Sequence, residues 1–280
     1  MTAIPFKKYH GLGNDYLVID PTVAPLDLTP ERIRFICDRH FGVGSDGLLY
    51  GPIVDDSGGH RVQIFNPDGS EAEKSGNGLR IFARYLYDAD HVQTKTFAIQ
   101  TLGGPVTAEI QDDTGETIKI GMGKVTFQSK AIPMDGPDRQ VIREALDIDG
   151  TPYEVTCLSI GNPHCVIPLA EISEEITRRL GPLVERNPFF PNRTNVQFVR
   201  ITDRHTLEMQ IWERGAGYTL ASGSSACAAA AATQKLGLVD SPVTVRMPGG
   251  ALRIDLEEEG HVFLTGPVEY IFEGEIASLP

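Results

Sequence analysis

Cysteine and histidine are scarce in this 280-residue chain, and neither is arranged as a metal site. None of the four cysteines pairs with another at CxxC spacing, and the seven histidines form no HExxH motif. We therefore expect no bound metal ion. Residues 1–13 show no apolar segment of the kind that directs export. The cysteines are accordingly predicted to be reduced thiols, and the protein to be cytoplasmic.

Basic residues are also few, with 25 Lys and Arg against 38 Asp and Glu, which leaves a formal net charge of −13. Such a surface repels phosphate backbones and anionic headgroups, so we expect neither nucleic acid nor a membrane as partner. Long apolar runs are lacking as well, since the most uniform small and apolar stretch, residues 226–232, is far too short to cross a bilayer. A small anionic ligand is compatible with all of these absences.

Glycine and proline are abundant, with 29 and 19 residues, which is typical of a strand-rich chain with many turns. Short apolar or alternating runs predict strands at 16–19, 61–65, 96–100, 117–120, 195–201, 206–212, 243–247 and 262–265. Helices are predicted at 29–39, after residue 78, at 172–185 and at 224–236. Many strands with few helices indicate an α+β fold rather than alternating βαβ units.

A faint internal repeat links the two halves of the chain. The segment KSGNG at 74–78 opens one predicted helix, and ASGSS at 221–225 opens another, 147 residues later. Each segment follows a predicted strand that leads into a loop with glycine and an acidic residue. The repeat suggests two similar domains that share one site, with a boundary near residues 121–137.

The two helix openings are candidate anion sites. The first N–H groups of a helix lack partners within it and lie at the positive end of its dipole, so they bind carboxylates well. Gly76-Asn77 and Gly223-Ser224 would bring such N–H groups close to a ligand. The alternative is that Ser75 and Ser222 are ordinary N-cap residues, although two copies in matching surroundings favour a shared site.

The pair Glu213-Arg214, which enters a glycine-rich loop, has the chemistry to bind an amino acid. Its carboxylate can hold an ammonium group and its guanidinium a carboxylate. An exposed charge pair at a strand end is the alternative.

Asn162 and His164 lie in a Gly-Asn-Pro-His segment, where an amide before proline can be directed into a cleft. His164 could orient a catalytic group, or it could be a hydrogen-bonded structural histidine. Asn66 and Asn195 are further amides at predicted strand ends, where asparagine commonly forms turns. The glycines at 11 and 13 do not form a dinucleotide loop, because a strand and not a helix follows them.

Taken together, these segments resemble the diaminopimelate epimerase family of cofactor-independent amino-acid racemases, over nearly the whole chain. The resemblance is carried by four motifs in the same order: FK at 6–7 with GLGNDY at 11–16, NPDGSE at 66–71 with GNGLR at 76–80, GNPH at 161–164, and ERGAGYTLA at 213–221. Four separate motifs in one order make the resemblance highly specific.

The resemblance implies two pseudo-symmetric domains, each a mixed β-structure around a central helix, with the active site in the cleft between them. We predict domains at 1–125 and 126–269, with 270–280 joining the first. Two groups on opposite faces of the α-carbon would exchange its proton without pyridoxal phosphate, metal or other cofactor. The reaction would interconvert LL- and meso-diaminopimelate for lysine and peptidoglycan precursors, and the family suggests a homodimer.

The resemblance also assigns site residues position by position. The predicted substrate contacts are Asn14, Asn66, Gly76, Asn77, Asn162, Asn195, Glu213, Arg214, Gly223 and Ser224. The predicted catalytic group comprises Ser75, Ser222, His164 and Glu213.

One departure from the family falls on the chemistry, because the two catalytic cysteines of the family align with Ser75 and Ser222. A thiol has a reference pKa of about 8.5, whereas a serine hydroxyl is a far weaker acid and needs a separate base. Three explanations are open. Both thiols were replaced deliberately, or a natural homologue acts on another amino or hydroxy acid, or the chain binds an amino acid without turnover.

Overall fold

The computed structural model describes residues 3–54 and 59–280 and divides into two compact units. The first unit contains the chain up to Ile120 together with Gly266–Pro280, and the second contains Gly121–Thr265. Within the described part, the helices are too short or too polar to cross a bilayer.

In its described residues, the first unit contains nine strands and two helices. Its strands are β1 (Ile4–Gly11), β2 (Asn14–Ile19), β3 (Gly47–Val54), β4 (His60–Phe65), β5 (Glu71–Ala72), β6 (Thr96–Thr101), β7 (Gly104–Ile110), β8 (Thr117–Lys124) and β18 (Glu269–Ile276). Its helices are α1 (Pro30–Cys37) and α2 (Gly76–Asp88).

The second unit has the same number of strands and α-helices, together with a short 3-10 helix at Glu258–Gly260. Its strands are β9 (Glu144–Ile148), β10 (Thr151–Ser159), β11 (Pro163–Pro168), β12 (Asn195–Asp203), β13 (Thr206–Glu213), β14 (Gly217–Thr219), β15 (Val243–Met247), β16 (Gly250–Leu256) and β17 (His261–Pro267). Its α-helices are α3 (Glu174–Glu185) and α4 (Gly223–Lys235).

The two units repeat one pattern of strand pairing. In the first unit, β18, β1, β2, β3, β4, β6, β7 and β8 lie side by side, and the successive pairs are antiparallel twice, parallel, antiparallel, parallel, then antiparallel twice. The order β9, β10, β11, β12, β13, β15, β16, β17 in the second unit repeats the same series. The short strands β5 and β14 pair with β4 and β13. The predicted α+β class with two pseudo-symmetric halves is therefore confirmed.

The helices α2 and α4 occupy equivalent places and begin in the same way. Each has 13 residues and follows a serine whose side chain accepts a hydrogen bond from the N–H three residues later. Ser75 and Ser222 are therefore N-cap residues, as the alternative for the two helix openings predicts, and Thr29 caps α1 in the same way before Pro30.

Both of these helices are largely buried. Helix α2 packs on β1, β2, β3 and β7, and α4 packs on six strands of its unit. The middle of α4 is almost entirely alanine, and its side chains are buried on every face. Small side chains let a surrounding sheet approach the helix closely, so each capped helix is the centre of its unit.

Candidate active site

Ser75 has a phenol beside it in the first unit. The serine is half-buried, and its Oγ lies 3.1 Å from Oη of Tyr16, a buried residue of β2. The same Oγ accepts the N–H of Gly78 at 3.1 Å. Gly47 lies opposite Tyr16 on the neighbouring strand β3, and a Cβ there would overlap the tyrosine ring. The position of the phenol therefore depends on glycine at residue 47.

Asn14 and Asn77 are joined by their side chains. Nδ2 of Asn77 donates to Oδ1 of Asn14 at 3.0 Å, and Nδ2 of Asn14 donates to Asp46 at 3.0 Å. Arg80, which is fully buried, donates to Oδ1 of Asn77 at 2.9 Å. Because each amide bonds through both ends, the two side chains have fixed orientations.

A cluster of charges supports this amide pair. Asp15 is buried and bonds to Lys8 at 2.8 Å and to Arg39 at 2.7 Å, and Arg39 also bonds to Asp46. Burial alone would raise the pKa of Asp15, but the bonds from Arg39 and Lys8 outweigh it and lower the pKa to about 2. The carboxylate is therefore ionised at neutral pH and anchors the strand that begins with Asn14.

The remaining predicted residues of this unit occupy different surroundings. Gly76 and Asn77 form the first positions of α2, where the backbone N–H groups have no partner within the helix. Asn66 is exposed in the turn after β4, and its Nδ2 donates to Oγ of Ser70 at 3.0 Å. The structure thus brings Asn14, Asn77 and Ser75 to the start of α2 and holds the Asn66 amide in a turn.

Ser222 in the second unit has a carboxyl beside it. The serine is buried and its Oγ accepts the N–H of Ser225 at 3.4 Å. Burial raises the pKa of Glu213, at the end of β13, and the Ser222 hydroxyl is near enough to that carboxyl to oppose the shift in part. A carboxylate with a raised pKa is a stronger base than one in water, and this one lies near a hydroxyl.

His164 is fully buried on β11 and belongs to a chain of hydrogen bonds that leads to Ser222. Its Nε2 lies 3.0 Å from Oδ1 of Asn162, and its Nδ1 lies 3.0 Å from Nε2 of Gln197, which also bonds to Ser225. Burial lowers the pKa of His164 to about 3, so the ring is neutral at pH 7. With both nitrogens bonded to amides, the ring orients Asn162 and Gln197.

Asn195 holds the backbone around the predicted substrate loop. It is buried, its Nδ2 donates to the carbonyl of Pro163 at 2.9 Å, and its Oδ1 accepts the N–H of Arg214 at 2.9 Å. The Arg214 side chain is exposed and donates to the carbonyl of Asn192. Gly223 and Ser224 form the first positions of α4, as Gly76 and Asn77 do in α2.

A buried carboxylate that the sequence did not reveal fixes the same loop. Glu185, at the end of α3, accepts Nε1–H of Trp212 at 2.8 Å and the N–H of Gly215 at 3.1 Å. These two partners flank Glu213 and Arg214 in the chain. Nothing in the local sequence distinguishes Glu185 from its exposed neighbours on α3, because its partners lie 27 and 30 residues away.

The cluster around Ser75 and the cluster around Ser222 occupy equivalent positions of their units but differ in chemistry. Tyr16 and His164 occupy the first rungs of the equivalent parallel pairs β2–β3 and β11–β12. Asn66 and Glu213 are likewise equivalent, because each lies 9 residues before the serine that caps the following helix. The first unit therefore has a phenol and an amide where the second has an imidazole and a carboxylate.

Tyr16 belongs to the cluster around Ser75, and Gln197 belongs to the cluster around Ser222. Neither residue was predicted as a site residue from the sequence. Tyr16 lies inside the GLGNDY motif but is typical of any strand, whereas Gln197 follows Asn195 by two residues and so shares its face of β12. That period of two is a signal that could have found Gln197. Within the residues that the structure describes, no cluster of side chains is arranged to hold a metal ion.

Comparison with known proteins gives consistent results. The sequence model of the family Diaminopimelate epimerase matches residues 6–128 and 156–271. "Diaminopimelate epimerase 2" of Nostoc sp. (strain PCC 7120) is 53% identical over 273 residues, which cover 98% of this chain and 95% of that protein. "Diaminopimelate epimerase 1" of the same organism is 40% identical and covers 98% and 100%.

Solved structures show the same fold at low identity. The probable proline racemase from Agrobacterium radiobacter K84 superimposes with a TM-score of 0.72 at 13% identity and covers 98% of this chain and 93% of that chain. Such a likeness concerns the fold alone. The family match and the identities of the Nostoc proteins extend over nearly the whole chain, and this chain belongs to the diaminopimelate epimerase family.

Proposed function

We propose that this protein interconverts LL- and meso-diaminopimelate by moving the α-proton from one face of the carbon to the other. Membership of the family supports the reaction. The observation that carries the proposal is the pair of serine-capped helices in equivalent places of two units, because a two-face reaction needs one group for each face. In this proposal Ser75 serves one face of the α-carbon and Ser222 the other.

Ser222 and Glu213 form the proton-accepting pair of this proposal. A serine hydroxyl alone is too weak an acid to work as an alkoxide near neutral pH. Glu213 lies near the Ser222 hydroxyl, and burial raises the pKa of its carboxyl. As the Cα–H bond breaks and its proton goes to the serine oxygen, the original hydroxyl proton goes to the Glu213 carboxylate. The electron pair left on the carbon delocalises into the substrate carboxylate.

The backbone N–H groups at the two helix starts would stabilise that charge. Those of Gly76 and Asn77, and those of Gly223 and Ser224, occupy the first positions of α2 and α4. Donors at a helix N-terminus favour an anion, and preorganised donors reduce the cost of charge that develops in the transition state. These N–H groups would let a protein with a net charge of −13 bind a small anion.

Diaminopimelate has a second amino-acid head group, and the other predicted contacts would hold it. Asn14, Asn66, Asn162, Asn195 and Arg214 offer amide and guanidinium groups of the right chemistry. His164 would act by orienting Asn162, since its neutral ring bonds to that amide. A distal head group held in this way would distinguish diaminopimelate from simpler amino acids.

The experiment is α-proton exchange in deuterated water, followed by NMR with LL- and meso-diaminopimelate. We expect exchange by the protein as it stands. We expect Ser75→Cys combined with Ser222→Cys to accelerate it by about 100-fold, because thiols have reference pKa values of about 8.5 and are better matched to neutral pH. Ser129→Cys is the matched control, since it adds a thiol at another buried serine of the second unit.

Calorimetry with the same two isomers separates binding from turnover. Tight binding without exchange, in both the serine and the cysteine forms, would support a binding protein and contradict the proposed epimerase. Exchange of another amino or hydroxy acid at a higher rate would change the substrate but not the reaction.

We further propose that the protein acts in the cytoplasm as a homodimer, in the synthesis of lysine and peptidoglycan precursors. Both proposals rest on the family. Analytical ultracentrifugation at micromolar concentrations should give twice the mass of one chain, and a monomer that shows full activity would contradict the assembly.

A further inference from the structure

Ser75 needs a group with which it can exchange a proton. The first unit has no carboxyl at the position that Glu213 occupies in the second unit. In the second unit, the Ser222 hydroxyl lies near the carboxyl of Glu213 and favours its ionised form. The equivalent residue of the first unit is Asn66, a neutral amide that is exposed and bonded to Ser70. An amide neither takes nor gives a proton near neutral pH, so Asn66 cannot do for Ser75 what Glu213 does for Ser222.

Tyr16 is the ionisable group in contact with Ser75. Its Oη lies 3.1 Å from the serine Oγ, and its ring is packed where a side chain at residue 47 would otherwise be. We propose that Tyr16 is the proton-transfer partner of Ser75 and acts through it as the acid of the two-face reaction. This inference rests on the proposed epimerase function and names the group that supplies the incoming proton.

Two protons move on the side of Ser75. The Ser75 Oγ–H bond breaks as its proton forms a new bond to the carbanion carbon, and the Tyr16 Oη–H proton moves to the serine oxygen. The serine is again a hydroxyl, and the tyrosine is left as a phenolate. On the opposite face, Glu213 has gained the proton that left the carbon through Ser222. Solvent returns the two groups to their starting states, and the reverse reaction uses both pairs in the opposite direction.

The hydrogen bonds around Ser75 favour this direction of transfer. Its Oγ already accepts the N–H of Gly78 at 3.1 Å. When the phenol donates as well, both lone pairs of the serine oxygen are occupied, and the serine's own proton points out of the cluster. A phenol, with a reference pKa of about 10, is also a much better proton donor than an aliphatic hydroxyl.

The second unit contains no copy of this arrangement, which explains why the two faces differ. The equivalent of Tyr16 there is His164, whose two nitrogens bond to the amides of Asn162 and Gln197. Its ring is neutral and contributes no proton. A carboxylate behind Ser222 and a phenol behind Ser75 together provide one base and one acid at the same pH, as a two-face transfer requires.

The test is a comparison of four proteins by deuterium exchange of diaminopimelate: the parent, Tyr16→Phe, Ser75→Cys, and the double variant. We expect Tyr16→Phe to slow exchange by about 100-fold while Ser75 is present, and by less than about threefold when residue 75 is cysteine, since a thiol is an adequate acid by itself. A role in packing alone would give the same loss in both backgrounds.

Tyr50→Phe is the matched control, because it removes a phenol of the same unit that bonds to the backbone of Leu26. Thermal melting and calorimetry show that each variant folds and binds substrate. Equal losses in the two backgrounds, or no loss in Tyr16→Phe, would overturn the role of Tyr16 while leaving the epimerase function intact. Absence of exchange in all four proteins would overturn the function and the proton relay together.

Discussion

The charged carboxylate of Glu213 lowers the stability of the folded protein, although the proposed reaction needs it as a base. Burial raises the pKa of its carboxyl, so the folded protein holds that proton more tightly than the unfolded chain does. Between the ordinary glutamate pKa and the raised value, the folded state binds more protons, and the free energy of unfolding falls as pH rises. Above the raised value, the full cost of a buried negative charge is present.

We therefore expect Glu213→Gln to raise the melting temperature at pH 8, with a gain that shrinks as the pH falls towards the ordinary glutamate pKa. Glutamine keeps an amide oxygen near Ser222 but carries no charge. The same variant should slow diaminopimelate exchange by about 100-fold or more, because it cannot accept a proton. Melting curves at several pH values and exchange rates check both effects.

Glu208→Gln is the control for that variant, since Glu208 lies on the same strand and pairs with Arg200 near the surface. It should leave exchange unchanged. A lower melting temperature for Glu213→Gln than for the parent at pH 8 would contradict the claim that the charge is costly.

Residues whose role is local could be predicted from the sequence, and those defined by distant partners could not. A serine before glycine at the start of a helix caps it through bonds three residues away, and Ser75 and Ser222 do so. Tyr16, by contrast, meets Ser75 across 59 residues of chain. No spacing in the sequence encodes such a contact, because it depends on how α2 packs against β2.

Among the elements, the loop after β13 is held by a neighbouring helix. Glu185 at the end of α3 bonds to Trp212 and Gly215, on either side of Glu213 and Arg214. Two donors that share one buried carboxylate fix the loop more firmly than a turn alone would. The position of the Glu213 carboxyl therefore depends on α3 as well as on its own strand.

Replacement of Glu185 by glutamine should destabilise the protein by about 1.5–3 kcal/mol, because an amide presents only one oxygen and turns its NH₂ towards the second donor. Urea unfolding measures the loss. Exchange should slow as well, since the loop that holds Glu213 loses one anchor. Glu175→Gln, on the exposed face of the same helix, should change neither quantity, and equal effects of the two variants would refute the anchoring role.

Elements with clear periodicity or caps were predictable to within a few residues. The helix expected at 29–39 spans Pro30–Cys37, and that expected at 172–185 spans Glu174–Glu185. Strand β11 has no alternating pattern that would mark it, because all of its residues but the last are buried. Helix α4 has no apolar face to detect, since its alanines are buried on all sides, and its start was revealed by the Ser-Gly opening.

At the scale of the whole molecule, the faint Ser-Gly repeat corresponds to a complete repeat of the strand pairing. The sequence could suggest two similar halves because capping signals are local. It could not give the order of strands, since each parallel pair joins strands on either side of a helix. The differences between the halves, such as Asn66 against Glu213, are visible in the sequence only once the repeat is aligned.

The last strand completes the first unit. Strand β18 pairs with β1 from Ile4–Ile276 to His10–Glu269, and its residues come after the entire second unit. We expect removal of residues 269–280 to expose the first unit to proteolysis, because β1 loses one of its two neighbours, while Gly121–Thr265 stays protected. Limited proteolysis with mass spectrometry distinguishes the two units.

Removal of residue 280 alone, which leaves β18 and the core contact of Leu279 in place, is the control and should leave both units protected. Equal protection of the first unit in the two truncated chains would show that β18 is dispensable.

The same strand determines the order in which a nascent chain can be completed. During synthesis on a ribosome, domains generally fold from the N-terminus onwards. Here the unit whose translation starts first must wait for the final strand, whereas the unit inserted within it already has all of its strands. Until β18 is made, the edge of β1 that it will cover stays unpaired. We therefore expect a chaperone to bind the strands of the first unit while translation continues.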